Sequence, residues 1–370
     1  MRSRLVASGL AVAVTALLVG ATPALAQPQA PATATGAAVQ QAMDRILANG
    51  AVGVQVRTTW DGRTTTATAG SSVLGTPWAV PDDGRFRIGS VTKTFVATVL
   101  LQLVEDERVE LDAPVARYLP GLLPDGDTIT VRMLLQHTSG LYNYTDSLPL
   151  DDGEFLGIRF RPYTPNELVD LATSKPLNFA PGTDWAYSNT NYIVLGMLIE
   201  KVTGRSWDTE VAARITTPLG MLATSAPHGS VFIPGPHARG YHPVAGVPVD
   251  TTELDPSWGG AAGEMISTTS DLDLFLTALA DGRLLRPAQL AELTSARSIT
   301  DGHGYGLGAQ SRNTPCGVTA WGHSGGIPGY TTLAFTTLDG SRRMEASVTN
   351  GLGPDSEDAV YGIVDAAICG

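Results

Sequence analysis

Two short stretches hold residue types whose spacing can do chemistry. Ser90-Val91-Thr92-Lys93 opens a run in which Phe95, Val96, Val99, Leu100, Leu103 and Val104 fall at helical spacing. That pattern predicts a long helix from Thr92 to Glu107, buried on most sides. Residues three apart share a helix face, so the Lys93 ammonium lies beside the Ser90 hydroxyl. At the helix N-terminus the serine also faces backbone N–H groups and the positive end of the dipole, which suits a nucleophile whose attack generates an oxyanion. A lysine in so apolar a helix must find partners or lose its proton. Tyr187-Ser188-Asn189 follows the turn FAPGTDW and precedes a second apolar helix. A phenol beside an ammonium has its phenolate favoured and can act as a general base. The Asn189 side chain offers an acceptor and donors to a substrate amide. Each motif alone also fits an ordinary cap or loop.

A third stretch, Gly322-His323-Ser324-Gly325-Gly326, matches the G-x-S-x-G elbow that carries the nucleophile in α/β-hydrolases. That reading needs an acid and then a histidine after the serine, yet His323 is the last histidine in the chain. It also needs a strand-to-helix turn, whereas Ile327-Pro328-Gly329-Tyr330 leads into the alternating TTLAFTTL, a strand. His323-Ser324-Gly325 on an edge strand fits better as a wall of the site. Gly325 and Gly326 let a substrate backbone approach closely, and one N–H there can complete an oxyanion hole.

The elements that must position these residues fall into three parts. A helix over Ala38 to Ala48 precedes a hairpin, Val52 to Thr59 and Thr64 to Ala69, turning at Asp61-Gly62. From about Asp112 to Trp258 the chain is helical and loop-rich: VRMLLQ, TPNELVDLAT with Thr164 as cap and Pro165 in its first turn, and NYIVLGMLIEKVTG ending at Gly204. The last third adds the helix DLDLFLTALADG, the strands YGLGA, VTAWGH, TTLAFTTLDG and MEASVTNG, and a closing helix, DAVYGIVDAAIC. The expectation is an α+β fold, with a mostly antiparallel sheet flanked by terminal helices. Residues 38–111 and 259–370 form the sheet domain, and 112–258 an inserted all-helical domain.

The N-terminus has Arg2 and Arg4, an apolar run from Leu5 to Ala21, and Ala24-Leu25-Ala26 before Gln27. This predicts a secretory signal over residues 1–26, followed by a linker over 27–37 rich in Pro, Ala and Gln. Removing the signal takes two arginines and no acids with it, so the net charge goes from −12 to −14. An acidic chain whose lysines are Lys93, Lys175 and Lys201 argues against nucleic acid and anionic lipid as partners. No later segment is apolar enough to anchor the mature chain in a membrane. Outside the cytoplasm, Cys316 and Cys369 are read as a bridge that contributes up to about 4 kcal/mol in the chain-entropy model. A catalytic thiol is the alternative, but nothing around either cysteine suggests a base. His228, His237 and His242 sit in a Pro/Gly-rich loop with no metal-ligand spacing, and are read as surface histidines. Neither metal nor cofactor is expected.

Ser-x-x-Lys, Tyr-x-Asn and His-Ser-Gly, in this order, resemble the active-site serine penicillin-recognising enzymes. The branch is that of class C β-lactamases and secreted actinomycete D-Ala-D-Ala carboxypeptidases. The phrases FRIGSVTKTF, LLQHTSGL, FAPGTDWAYSNTNY, GEMISTTSDL and YGLG add to the likeness, which covers most of residues 38–370. The resemblance implies a β-lactamase/transpeptidase-like fold with its site between the sheet and helical domains. It implies that Ser90 is acylated, that Lys93 and Tyr187 exchange protons with it and with the leaving amine, and that Asn189 holds the substrate amide. The N–H groups of Ser90 and Gly326 would form the oxyanion hole. His323 would stand where β-lactamases usually have lysine, Trp258 would be a cleft wall or a core residue, and Cys316 would pair with Cys369. Two departures stand out, because Gly326 brings no hydroxyl and Gln310 aligns where an arginine would bind the terminal carboxylate, leaving Arg312 as a substitute two residues on. The leading expectation is a monomeric, secreted D-alanyl-D-alanine carboxypeptidase acting on peptidoglycan peptides and acylated by β-lactams. An esterase or D-amino-acid amidase on the same scaffold is the alternative. A non-catalytic penicillin or muropeptide binder is the reading from another class.

Overall fold

The computed structural model describes residues 34–150, 154–350 and 356–370. The signal peptide expected over 1–26, and the linker as far as residue 33, lie outside the described residues. Helix α1, Ala34–Ala48, begins four residues before the linker was expected to end.

Strands β1, Gly53–Trp60, and β2, Arg63–Gly70, form the expected hairpin. Asp61 and Gly62 both adopt positive φ, as a two-residue turn between twisted strands requires. The short β3, Phe86–Arg87, pairs with β6, Ile266–Ser267, and β4, Tyr241–Val244, with β5, Val247–Asp250. The remaining strands are β7, Arg297–Thr300; β8, His303–Tyr305; β9, Gln310–Asn313; β10, Thr319–Ile327; β11, Tyr330–Thr336; and β12, Arg342–Thr349. One antiparallel sheet takes the order β2-β1-β12-β11-β10-β9-β8-β7, so the two ends of the described chain meet at β1 and β12.

The other helices are α2, Thr92–Glu105; α3, Val131–Leu135; α4, Phe155–Ile158; α5, Pro165–Thr173; α6, Asn189–Thr203; and α7, Trp207–Val211. After them come α8, Thr217–Leu219; α9, Gly260–Gly263; α10, Thr269–Ala280; α11, Pro287–Leu293; and α12, Ser356–Cys369. Thr164 and Glu167 form a reciprocal capping box at α5, and Gly204 closes α6 in the left-handed conformation.

Alternation along the strands gives the sheet two different faces. Val54, Val56, Leu333, Phe335, Met344 and Val348 face α1 and α12, where they pack on Met43, Ile46, Ile363 and Val364. The opposite face receives α10, with α2 buried beyond it among α6, α7, α9 and α11.

Two readings are corrected. The stretch 112–258, expected to be all-helical, contains the β4–β5 hairpin, whose alternation over Tyr241 to Asp250 is interrupted by Pro243 and Pro248. YGLGA is a strand only up to Tyr305; Gly308 leaves the sheet at φ +89°, and its carbonyl accepts from Thr94 Oγ1 on α2 at 2.8 Å.

Candidate active site

A 3-10 turn, Gly89–Val91, presents Ser90 and runs directly into α2, so Lys93 lies one turn further on the same face. Lys93 is fully buried, and its amine has three partners: Ser90 Oγ at 2.9 Å, Asn189 Oδ1 at 2.7 Å and the carbonyl of Ala262 at 2.7 Å. The two carbonyl-type oxygens can only accept and therefore take two N–H bonds. Burial holds Lys93 well below its ordinary value of 10.5. A neutral amine so placed turns its lone pair to the Ser90 hydroxyl.

Asn189 opens α6, and the preceding loop fixes it: Asn143 Oδ1 accepts from its backbone N–H at 2.9 Å, and Thr145 Oγ1 accepts from its amide nitrogen at 3.2 Å. Its side chain thus clamps Lys93, in addition to any part it has in holding a substrate amide. The Tyr187 ring lies 4.9 Å from the lysine nitrogen. Its phenol hydrogen-bonds Ser90, which favours ionisation, but burial outweighs that and pushes the phenol up from 10.0. The ammonium–phenolate pair expected from the sequence is therefore reversed. Burial favours the two neutral forms.

Behind Tyr187 lies a layer of rings. His137, in the LLQHTSGL turn at φ +60°, stands 4.3 Å from Tyr187 and 4.7 Å from Tyr305. Its Nδ1 accepts from the Ser188 N–H at 3.2 Å and from Asn191 Nδ2 at 3.0 Å, so Nε2 carries its hydrogen. His323 is buried, with Nδ1 donating to the Ser324 carbonyl and Nε2 accepting from Tyr305 at 2.9 Å. Burial, then the nearby Lys93, push it down to about 3, so the ring is neutral at every physiological pH. His137, Tyr305 and the Ala262 carbonyl had no part in the sequence reading. A histidine inside the apolar run VRMLLQHTSGL was the one available signal, and a backbone carbonyl leaves none.

Strand β10 closes the site from the sheet. A Cβ on Gly89, at φ +50°, would stand 2.8 Å from Gly326 N, and one on Gly325 would stand 3.0 Å from Ser90 N. The backbones of Gly89–Ser90 and Gly325–Gly326 thus lie against each other, the proximity that an oxyanion hole built from the Ser90 and Gly326 N–H groups needs.

The other expected site residues are placed differently. Pairing of β9 with β10 puts Gln310 and Arg312 opposite Gly322 and Ala320, on the α12 face, where Ser324 also points. Arg312 binds Asp365 of α12 through Nε at 3.1 Å and Nη2 at 2.9 Å, and donates to His303 Nε2 at 2.8 Å. It is therefore not brought to Ser90. Trp258 is 7% exposed and belongs to the hydrophobic core, its carbonyl accepting from the Tyr144 hydroxyl. The turn at Pro256 and the glycines at 259 and 260 fold the indole inward, so it is not an open cleft wall. Cys316 and Cys369 form a disulfide that ties the end of α12 to the turn before β10. His228 pairs with Asp208 at 2.8 Å, and His242 packs on Phe155.

A Ser-x-x-Lys pair with a buried lysine, its serine bonded to the Tyr187 phenol and backed by the glycine strand β10, defines a serine hydrolase. The Beta-lactamase family model matches residues 37–368. The chain belongs to that family, which includes penicillin-binding protein homologues. It is similar to the D-stereospecific amidohydrolase from Streptomyces sp., with 40% identity over 90% of this chain and 98% of that one, at TM-score 0.84. The D-amino acid amidase from Ochrobactrum anthropi SV3, complexed with L-phenylalanine amide, is 30% identical over 90% of this chain and 98% of its own, at TM-score 0.80. Penicillin-binding protein 4 of Amycolatopsis lactamdurans is 28% identical over 75% of each chain. Among the described residues no helix is long and apolar enough to cross a membrane.

Proposed function

We propose that this protein is a D-stereospecific amidohydrolase that cleaves amides of D-amino acids through an acyl-enzyme at Ser90. The observation that carries it is the three-way coordination of the Lys93 amine, which leaves its lone pair for the Ser90 proton. Ser90 Oγ attacks the substrate carbonyl carbon as its proton passes to Lys93. The N–H groups of Ser90 and Gly326 receive the oxyanion. As the C–N bond breaks, Tyr187 gives its proton to the departing nitrogen and recovers one from the Lys93 ammonium; water then hydrolyses the ester by the reverse route. The 40%-identical amidohydrolase supports the choice of substrate. The signal sequence expected over residues 1–26 and the disulfide support action outside the cytoplasm.

Ammonia release from D- and L-phenylalanine amide tests this reading. Release from the D form that disappears in Ser90→Ala is expected; release that survives the substitution, or that favours the L form, overturns it. The D-alanyl-D-alanine carboxypeptidase that led the sequence reading becomes the second reading, kept by the similarity to a penicillin-binding protein. It predicts a long-lived penicilloyl adduct on Ser90 in the intact mass after benzylpenicillin, together with release of D-alanine from peptides ending in D-Ala-D-Ala.

A further inference from the structure

The turn after α3 clasps the loop that carries Tyr187. His137 adopts φ +60°, a left-handed conformation that a residue other than glycine holds only where its surroundings impose it. There it serves both flanks of Tyr187: its carbonyl accepts from the Ala186 N–H at 3.1 Å, and its Nδ1 accepts from the Ser188 N–H at 3.2 Å. The residues that follow extend the grip. The Thr138 carbonyl accepts from the Gly182 N–H at 2.8 Å, Ser139 Oγ donates to Asn191 Oδ1 at 2.6 Å, and the Gly140 carbonyl accepts from the Asn178 N–H at 2.8 Å. The chain from Asn178 to Asn191 hangs on His137 to Gly140, and the hold is double at Tyr187.

The same side chain backs the phenol. The His137 ring lies 4.3 Å from that of Tyr187, with Tyr305 on another side at 4.7 Å. Asn191 Nδ2 also donates to His137 Nδ1, at 3.0 Å, so two donors hold the imidazole in its accepting tautomer. Burial, then the nearby Lys93 and His323, hold the ring well below 6.5, so the acceptor is not lost to a proton at neutral pH. Being fully buried, His137 does not reach a substrate and acts on the chemistry only through Tyr187.

We infer that His137 is a positioning residue for leaving-group protonation, its Nδ1 fixing the Tyr187 loop so that the phenol is aimed at the departing nitrogen. The inference rests on the acyl-enzyme reading, in which Tyr187 gives that nitrogen its proton.

A departing amine must be protonated as the C–N bond breaks, whereas p-nitrophenolate leaves as a stable anion. The test is the ratio of kcat/KM for D-phenylalanine amide to that for D-phenylalanine p-nitrophenyl ester. The two share one acyl group, so the ratio reads the aim of the phenol and cancels any loss of folded enzyme. Tyr187→Phe should lower the ratio by at least about 100-fold. His137→Phe, which keeps a ring but no acceptor, should lower it by at least about 10-fold. His137→Asn, whose Oδ1 replaces Nδ1 and which tolerates the left-handed conformation, should hold it within about 3-fold of wild type. If His137→Phe yields no folded protein, His137→Ala carries the same comparison. A wild-type ratio in the variant without the acceptor makes His137 purely structural and overturns the inference. So does a ratio that falls as far in His137→Asn. With Tyr187→Phe moving the ratio, either result removes this inference alone; with Tyr187→Phe leaving it unmoved, the assignment of Tyr187 as proton donor falls and the inference with it.

Discussion

Gly325 of β10 lies against the backbone of Ile88, so that a Cβ at 325 would stand 2.0 Å from the Ile88 carbonyl oxygen. Neither partner is a side chain that can swing away. Gly325→Ala must push the strand from the turn that carries Ser90, at a cost of at least about 1–3 kcal/mol. A shift of about 1 Å at the reacting atoms also costs on the order of 100-fold in rate. A Cβ at Gly326 meets nothing within 4 Å, so Gly326→Ala should stay within about 0.5 kcal/mol of wild-type stability. Denaturant melts of the two variants check this, and equal stability would show that the contact is slack.

The acid limb of the acylation rate should belong to Lys93. The neutral amine is the form that accepts the Ser90 proton, so kcat/KM falls as pH drops through the lysine value, which burial holds well below 10.5. His323, pushed down to about 3, cannot supply a limb near neutrality. His323→Gln should therefore leave the midpoint of the limb in place, whereas Lys93→Met should lower acylation by at least about 100-fold, the low end of what a general base supplies. A midpoint that moves with His323 would transfer the proton acceptor to that ring.

Glu264, next to the loop that holds Lys93, is buried, and its carboxyl is pushed up to about 8 by burial and then by Asp208 and Asp255, with Arg87 opposing. An acid whose folded value exceeds its unfolded value of about 4.3 keeps a proton on folding. Its contribution to stability is then present at low pH and lost as pH rises toward 8. Relative to Glu264→Gln, the wild type should lose up to about 1.4 kcal/mol per pH unit between roughly pH 5 and 8. Parallel stability curves for the two proteins would show that Glu264 ionises freely in the fold.

Much of the site was legible because its members are close in sequence and in unlike surroundings. A lysine in the apolar run after Ser90 had to be buried, and burial required partners. What the spacing could not supply was the identity of those partners, since Ala262 contributes a carbonyl and Asn189 lies 96 residues away. The sign of the electrostatics was missed for the same reason. A phenol beside an ammonium favours phenolate only where water or counter-charge supports both ions, and the depth of burial here favours neither.

By itself the sequence determined the pairing of Ser90 with Lys93, the helix that aligns them and the antiparallel sheet built from both ends of the described chain, because each is a matter of local period and spacing. Tertiary structure decided which side of the sheet each neighbour occupies. His323 and Ser324 are adjacent, yet the pleat sends the first toward Tyr187 and the second toward α12. The same alternation puts Gln310 and Arg312 together on the α12 side, where Gln310 meets Ser324 and Arg312 meets Asp365. A one-residue difference in strand position is invisible in composition, and only register against β9 and β11 fixes it.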